Sequence, residues 1–392
     1  MAHDYTPKHF LRQAPNELLK AYFARKGELA DVKWDELEDE GKDVIHDVWY
    51  ALPADRIGQV ESEFRAIYEL ATEDGVRTIF EEANIFAPET VPEIQKRDGF
   101  VHKAFWVFLN KPTLFAHVSR CDHADHLKSR CWKTRKGLPK KHPDVSDAAV
   151  SRLAKEVGEF YWDREGRGGA NCKGESFKRG DQRAYVFVYP QNYTDTFIGY
   201  KQDGTFVRAP QQPAFEIVFA FDPSSGVLDL YAKGEKRVKE KLEAMFARCI
   251  LGENIGAEPP NSDVYELDGL KHRGFPMPTD LQDNIKDVRV KTLRLYLPDH
   301  EGQILIDTAA GTDAPDELYR IMEDYLVAQK VTAKSVRVGG ATIQMALKGQ
   351  DGQEDKEFDF NISAKSSRNL NRDRPEDRLA RKYLKKWRIV NA

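Results

Sequence analysis

Through most of the first 158 residues, apolar positions recur every three to four residues, the spacing of one helix face. In PNELLKAYFARKG, Leu18, Leu19, Tyr22 and Phe23 share a face, and Gly27 follows as a left-handed C-terminal cap. In PADRIGQVESEFRAIYELAT, Ile57, Val60, Phe64, Ile67 and Tyr68 repeat the period after Pro53, a residue tolerated at a helix start. The same spacing predicts helices over 75–84, 101–110, 113–130 and 146–161, with no internal repeat.

The pattern changes near Arg183. RAYVFVYP reads as a strand, and AFEIVFAF and VLDLYAK flank the turn DPSSG as a hairpin. A helix follows with Val238, Leu242, Phe246 and Cys249 on its buried stripe. Residues 252–285 hold Pro259, Pro260, Pro276 and Pro278 with little periodicity and read as a linker or long loop. Beyond them come strands in VRVKTLRLYL and GQILIDT, a helix over 314–328, strands in SVRVGG-ATIQMALKG and KEFDFNIS, and the closing helix PEDRLARKYLKKWRI. Helices mixed with antiparallel hairpins, without regular βαβ alternation, predict an α+β protein. The expected division is a helical domain over 1–158, a β-hairpin/helix domain over 159–251, the linker, and an α+β domain over 286–392 that ends in a basic helix.

Composition narrows the class. A chain of 392 residues with 41% hydrophobic and 32% charged side chains can build two or three cores. The longest apolar runs, such as AFWVFL at 104–109, are too short to cross a bilayer. The start MAHDYTPKHFLRQAP has no basic-then-apolar leader, and Cys121, Cys131, Cys172 and Cys249 do not make a disulfide framework. A reducing cytoplasm and no membrane are expected.

The net charge of −4 conceals an asymmetry. Residues 1–100 carry 22 acidic and 12 basic side chains, residues 101–180 carry 9 and 17, and residues 361–392 carry 3 and 10. An acidic front with a basic middle and tail points to a protein partner at the front and a polyanion elsewhere. In the middle, Lys133, Arg135, Lys136, Lys140 and Lys141 lie beside Trp132. Arg164, Arg167, Lys173, Lys178 and Arg179 are interleaved with Gly166, Gly168, Gly169, Gly174 and Gly180, glycines that let backbone amides approach an anion. In the tail, Leu379, Tyr383 and Trp387 form a docking stripe flanked by Arg381, Lys382, Lys385 and Lys386. All of these cations are candidate phosphate contacts.

Other chemistry finds less support. GANCKGES (169–176) is one letter from a phosphate loop, but Glu175 occupies the lysine position, and the segment follows a helix rather than a strand. Cys121, His123, His126 and Cys131 are the candidate metal ligands, yet the spacing C-x-H-x₂-H-x₄-C fits neither a zinc ribbon nor a finger. No metal and no cofactor are therefore expected. Glu216, Asp222, Asp229 and Lys233 loosely resemble a nuclease cluster without its acid-x-lysine spacing, and no hydrolase or dinucleotide motif occurs. The expected function is a nucleic-acid-binding subunit of a larger assembly, DNA through its phosphate backbone. The alternatives are a metal-dependent nuclease or other hydrolase, and a protein-interaction scaffold.

Overall fold

The computed structural model describes residues 5–34, 37, 42–127, 131–166, 171–180, 183–201, 204–256, 265–297, 303–308, 316–349, 355–363, 370 and 375–390. The fold is α+β, with helices and antiparallel sheets in two compact units. The first unit comprises residues 1–127, 138–230 and 241–255, and the second comprises 128–137, 231–240 and 256–392.

The first unit begins with eight helices: α1 (Pro7–Gln13), α2 (Asn16–Lys26), α3 (Asp43–Tyr50), α4 (Ala54–Leu70), α5 (Glu73–Phe86), α6 (Val91–Gln95), α7 (Phe100–Asn110) and α8 (Pro112–His126). Their apolar stripes meet around Phe64, whose ring lies 4.7 Å from Phe10, 4.8 Å from Tyr22 and 5.5 Å from Trp49. Gly27 closes α2 at φ 69°, a left-handed conformation open to glycine without strain.

In the chain the helical front is followed by a sheet, and residue 158 lies inside the helix that packs on it. After the short strand β1 (Trp132–Arg135), α9 (Asp147–Glu165) lies on β2 (Cys172–Arg179) and β3 (Arg183–Pro190). Within this unit the strands run in the order β7 (Val227–Tyr231), β6 (Ile217–Asp222), β3, β2. A separate two-stranded arm joins β4 (Asp195–Tyr200) to β5 (Phe206–Gln211). Helix α10 (Lys236–Phe246) carries Phe246, which stacks on Phe219 at 5.2 Å.

The glycine-rich segment is therefore a strand along 172–179 rather than a loop. Its glycine answers a packing need. A Cβ on Gly174 would stand 2.6 Å from Val150 Cγ1 and 3.1 Å from the Val150 carbonyl, and one on Gly158 would stand 3.0 Å from Cys172 Cβ. Val150, Ala154 and Gly158 follow one another at four-residue steps, so α9 turns a face that narrows from valine to glycine toward a strand bare at Gly174. The resemblance to a phosphate loop comes from close helix–sheet packing.

In the second unit, β8 (Ile285–Tyr296), β9 (Gln303–Asp307), β10 (Arg337–Leu347) and β11 (Lys356–Ser363) form an antiparallel sheet in the order β11-β10-β8-β9. Helices α11 (Glu317–Ala328) and α12 (Pro375–Lys386) contribute Leu318, Met322, Tyr383, Leu384 and, just past α12, Trp387 to its core. Trp387 and Tyr383 are buried while Leu379 is half-buried, which docks the expected stripe. Residues 265–285 of the segment expected as a linker belong to this unit. Tyr265 bridges to Val390, Leu267 and Leu270 are in the core, and buried Lys271 donates to the Val336 carbonyl at 2.6 Å. Its prolines break helical periodicity, and a few well-spaced apolar anchors suffice to fasten irregular chain.

Candidate functional site

Helix α8 organises the polar chemistry of the first unit. His117 and Cys121, four residues apart, share one of its faces and meet Glu82 from α5. His117 Nε2 lies 2.7 Å from Glu82 Oε2 and 3.9 Å from Cys121 Sγ. Glu82 and Cys121 are buried, and the His117 side chain is 17% exposed. The Gly180 amide, in the turn after β2, donates to Glu82 Oε2 at 3.3 Å. Phe86 and Phe177 meet the imidazole edge-to-face at 4.9 and 5.6 Å.

The expected cysteine–histidine set does not assemble. Cys121 joins the buried group, while His123 turns to Glu216, with Nε2 3.0 Å from each carboxylate oxygen. Hydrogen bonding to that carboxylate raises the His123 pKa above its ordinary 6.5, against burial, which lowers it. His126 faces Asp122 at 3.3 Å, and Cys131 belongs to the second unit, where its carbonyl accepts from Lys239 at 2.6 Å. None of the four cysteines forms a disulfide. Burial pushes the Cys172 thiol up to about 12 and the Cys249 thiol up to about 11, which leaves both protonated and unreactive at neutral pH.

The three acids of the expected cluster are engaged separately, and Lys233 is exposed. Glu216 holds His123, Asp229 pairs with Arg183 at 2.5 Å, and Asp222 accepts from the Ser224 and Ser225 amides and hydroxyls. Burial alone would raise the Asp222 pKa, and those four donors outweigh it and hold the carboxyl at about 2. Asp222 is thus a turn-former rather than an acid or base.

The basic candidates divide sharply. Arg179, expected to contact phosphate, is buried and forked onto Asp125 with both hydrogen bonds at 2.8 Å. Arg135 is also buried and donates to the Gly256 carbonyl at 3.0 Å. Lys382 sits between Asp280 and Asp283 at 3.1 and 2.6 Å, Lys386 pairs with Asp280, and Arg381 donates to the Leu370 carbonyl. Lys141 pairs with Glu253, Lys173 with Glu175 and Arg164 with Glu165, and all three cations are exposed. Lys133 is half-buried, Lys136, Lys140, Lys178 and Lys385 are exposed, and Arg167 lies outside the described residues. The sequence showed where cations cluster but not that acids distant in the chain hold Arg179, Lys382 and Lys386.

The β4–β5 arm was not anticipated, although TFIGY-KQDG-TFVRA carries the alternation and Asp-Gly turn of a hairpin. Its register pairs Ile198 with Arg208 and Tyr200 with Phe206, which puts all four on one face. Tyr200 is 73% exposed, Ile198 57% and Phe206 51%, and the two rings meet edge-to-face at 5.4 Å. On the other face, Phe197 folds over Gly199, where a Cβ would stand 2.5 Å from the ring. Neither Lys201 nor Arg208, both exposed, has an ion-pair partner among the described residues.

At the foot of the arm lies a cleft of about 430 Å³, lined by Trp162, Asn171, Gln191, Tyr193, Thr194 and Gln212. Its amides form a directional chain. Asn171 Nδ2 donates to Gln191 Oε1 at 2.8 Å, Gln191 Nε2 to Gln212 Oε1, and Gln212 Nε2 to Thr194 Oγ1 at 3.5 Å. Each amide keeps a second N–H, and Asn171 keeps its acceptor oxygen. The cleft thus combines uncharged donors and acceptors with the exposed ring of Trp162. No helix among the described residues is long and apolar enough to cross a membrane. Comparison with protein families, with curated proteins and with solved structures gave no match.

Proposed function

We propose that this chain is a nucleic-acid-binding subunit of a larger assembly, and that the β4–β5 arm engages single-stranded segments. The observation that carries this reading is the open arm face of Ile198, Tyr200, Phe206 and Arg208. A two-stranded hairpin is marginal in water by itself, and exposed aromatic rings on one mark an interaction surface. Bases stack on aromatic faces irrespective of sequence, while adjacent cations hold the phosphates. Tyr200 and Phe206 supply the first element, and Lys201 and Arg208 the second. The amide cleft at the foot of the arm suits the hydrogen-bonding edge of an unpaired base beside Trp162. Backbone contacts would extend to Lys140 and Lys178, which remain exposed. A protein partner is assigned to the acidic helical front, where α3 exposes Val44, Val48 and Tyr50.

The test is fluorescence anisotropy with labelled single-stranded DNA, single-stranded RNA and duplex DNA. The Tyr200→Ala/Phe206→Ala variant should bind single strands at least about tenfold more weakly, because one stacked base is worth about 1–3 kcal/mol. Wild-type affinity in that variant, with its fold intact by circular dichroism, would overturn the assignment of the arm.

A further inference from the structure

We propose that Glu82, His117 and Cys121 form a zinc site with one open coordination position. One ligand atom from each residue lies within 4.8 Å of the other two. The set comprises one carboxylate oxygen, one imidazole nitrogen and one thiol sulfur, the three donor types zinc takes, and three protein ligands plus water is the arrangement of an open zinc centre.

The three ligand atoms stand close to the spacing of a loaded site. Tetrahedral bonds of about 2.0 Å to nitrogen and oxygen and about 2.3 Å to sulfur place N and O about 3.3 Å apart, and N and S about 3.5 Å apart. His117 Nε2 stands 2.7 Å from Glu82 Oε2 and 3.9 Å from Cys121 Sγ. The first distance has to lengthen by about 0.6 Å and the second to shorten by about 0.4 Å, while the Glu82 oxygen and Cys121 sulfur, within 4.8 Å of each other, have to come to about 3.5 Å. Carboxylate and sulfur also converge on the same ring nitrogen. One N–H serves a single acceptor well, whereas a cation in the gap is served by all three groups.

The surroundings are those of a held site. A carboxylate at 2% exposure is costly unless it meets a cation or several donors. Gly180 supplies one donor to Glu82, the outer-shell contact that fixes a ligating carboxylate. Phe86 and Phe177 wall the imidazole with apolar edges. The partial exposure of His117 puts one edge of the cluster in contact with solvent, from which a metal can enter. Loading releases the Cys121 thiol proton, since the thiolate is the ligand.

The experiment strips the purified full chain with a chelator, reloads it with zinc or cobalt(II), and measures metal content and absorption. About one equivalent of zinc is expected. The cobalt protein should show a thiolate-to-metal charge-transfer band and intense visible bands of a tetrahedral ion. Cys121→Ser should abolish the charge-transfer band, and Glu82→Gln should weaken retention, whereas Cys131→Ser and His123→Ala should leave metal and spectrum unchanged. Failure to load the wild type, cobalt bound without a thiolate band, or loss of metal in Cys131→Ser would each overturn the site. The wild-type cobalt spectrum decides the matter even where a variant fails to fold.

Discussion

Arg179 grips Asp125 through two parallel hydrogen bonds of 2.8 Å, with both side chains about nine-tenths buried. The pair ties the end of β2 to α8 and fixes the turn whose Gly180 amide meets Glu82. Arg179→Ala would remove both hydrogen bonds that the arginine makes to the buried Asp125 carboxylate, and breaking a buried pair from one side costs about 3–5 kcal/mol. Chemical denaturation should report that loss, and Arg179→Met with Asp125→Leu should restore most of it. A midpoint unmoved by Arg179→Ala would mean the arginine points to solvent.

Gly174→Val should destabilise the first unit by about 1–3 kcal/mol, the usual cost of overpacking, because Val150 occupies the space its Cβ requires. Gly58→Ala is the control of opposite sign. Gly58 lies in α4 with nothing within 4 Å of an added Cβ and no positive φ, so alanine should stabilise by about 0.5–1 kcal/mol. Thermal unfolding of the two variants should move in opposite directions.

These two glycines also show what the sequence reveals. Helical periodicity is local, so α2, α4 and the docked tail could be read from the apolar stripes that contain Leu18, Phe64 and Trp387. The role of Gly174 depends on Val150, 24 positions earlier, which no local pattern records. The same holds for the candidate site. HVSRC places His117 and Cys121 on one face at readable spacing, but Glu82 arrives from another helix. The expectation therefore fell on nearer residues such as His123, which Glu216 occupies instead. Lys382 likewise looked available because Asp280 and Asp283 lie about 100 positions away.

The His123–Glu216 pair carries a signed pH dependence. The carboxylate raises the folded-state pKa of His123 above 6.5, helped by Asp122 and Glu69. Its contribution is therefore fully present below the unfolded value and is lost as pH rises through the raised folded value. The stability gap between wild type and Glu216→Gln should be widest in mild acid and narrow in mild alkali. The gap should be small, because more than half of the His123 side chain is exposed. An NMR titration that places His123 at or below 6.5 would refute the assignment.

Trp387 is buried in the core of the second unit, and its Nε1 donates to the Pro278 carbonyl at 3.1 Å. Trp387→Ala should cost about 3–5 kcal/mol through the cavity left beside Tyr383. Because Pro278 lies in the segment expected to be a linker, protease sensitivity should also rise across 265–283. An unchanged melting temperature would show the tail helix to be undocked.

The two basic regions should respond differently to salt. Each phosphate contact contributes about 0.7–0.9 to the slope of log affinity against log salt through counterion release. Lys201→Ala with Arg208→Ala removes two cations that have no ion-pair partner among the described residues, so the slope for single strands should fall by about 1.5. Lys382→Ala with Lys386→Ala removes two cations already held by Asp280 and Asp283. A cation must leave its carboxylate before it serves a phosphate, so this pair releases few counterions and should leave the slope within error of wild type. Equal falls in both variants would place the polyanion on the tail as well as the arm. A fall confined to the tail variant would return binding to the C-terminal helix and end the assignment of the arm.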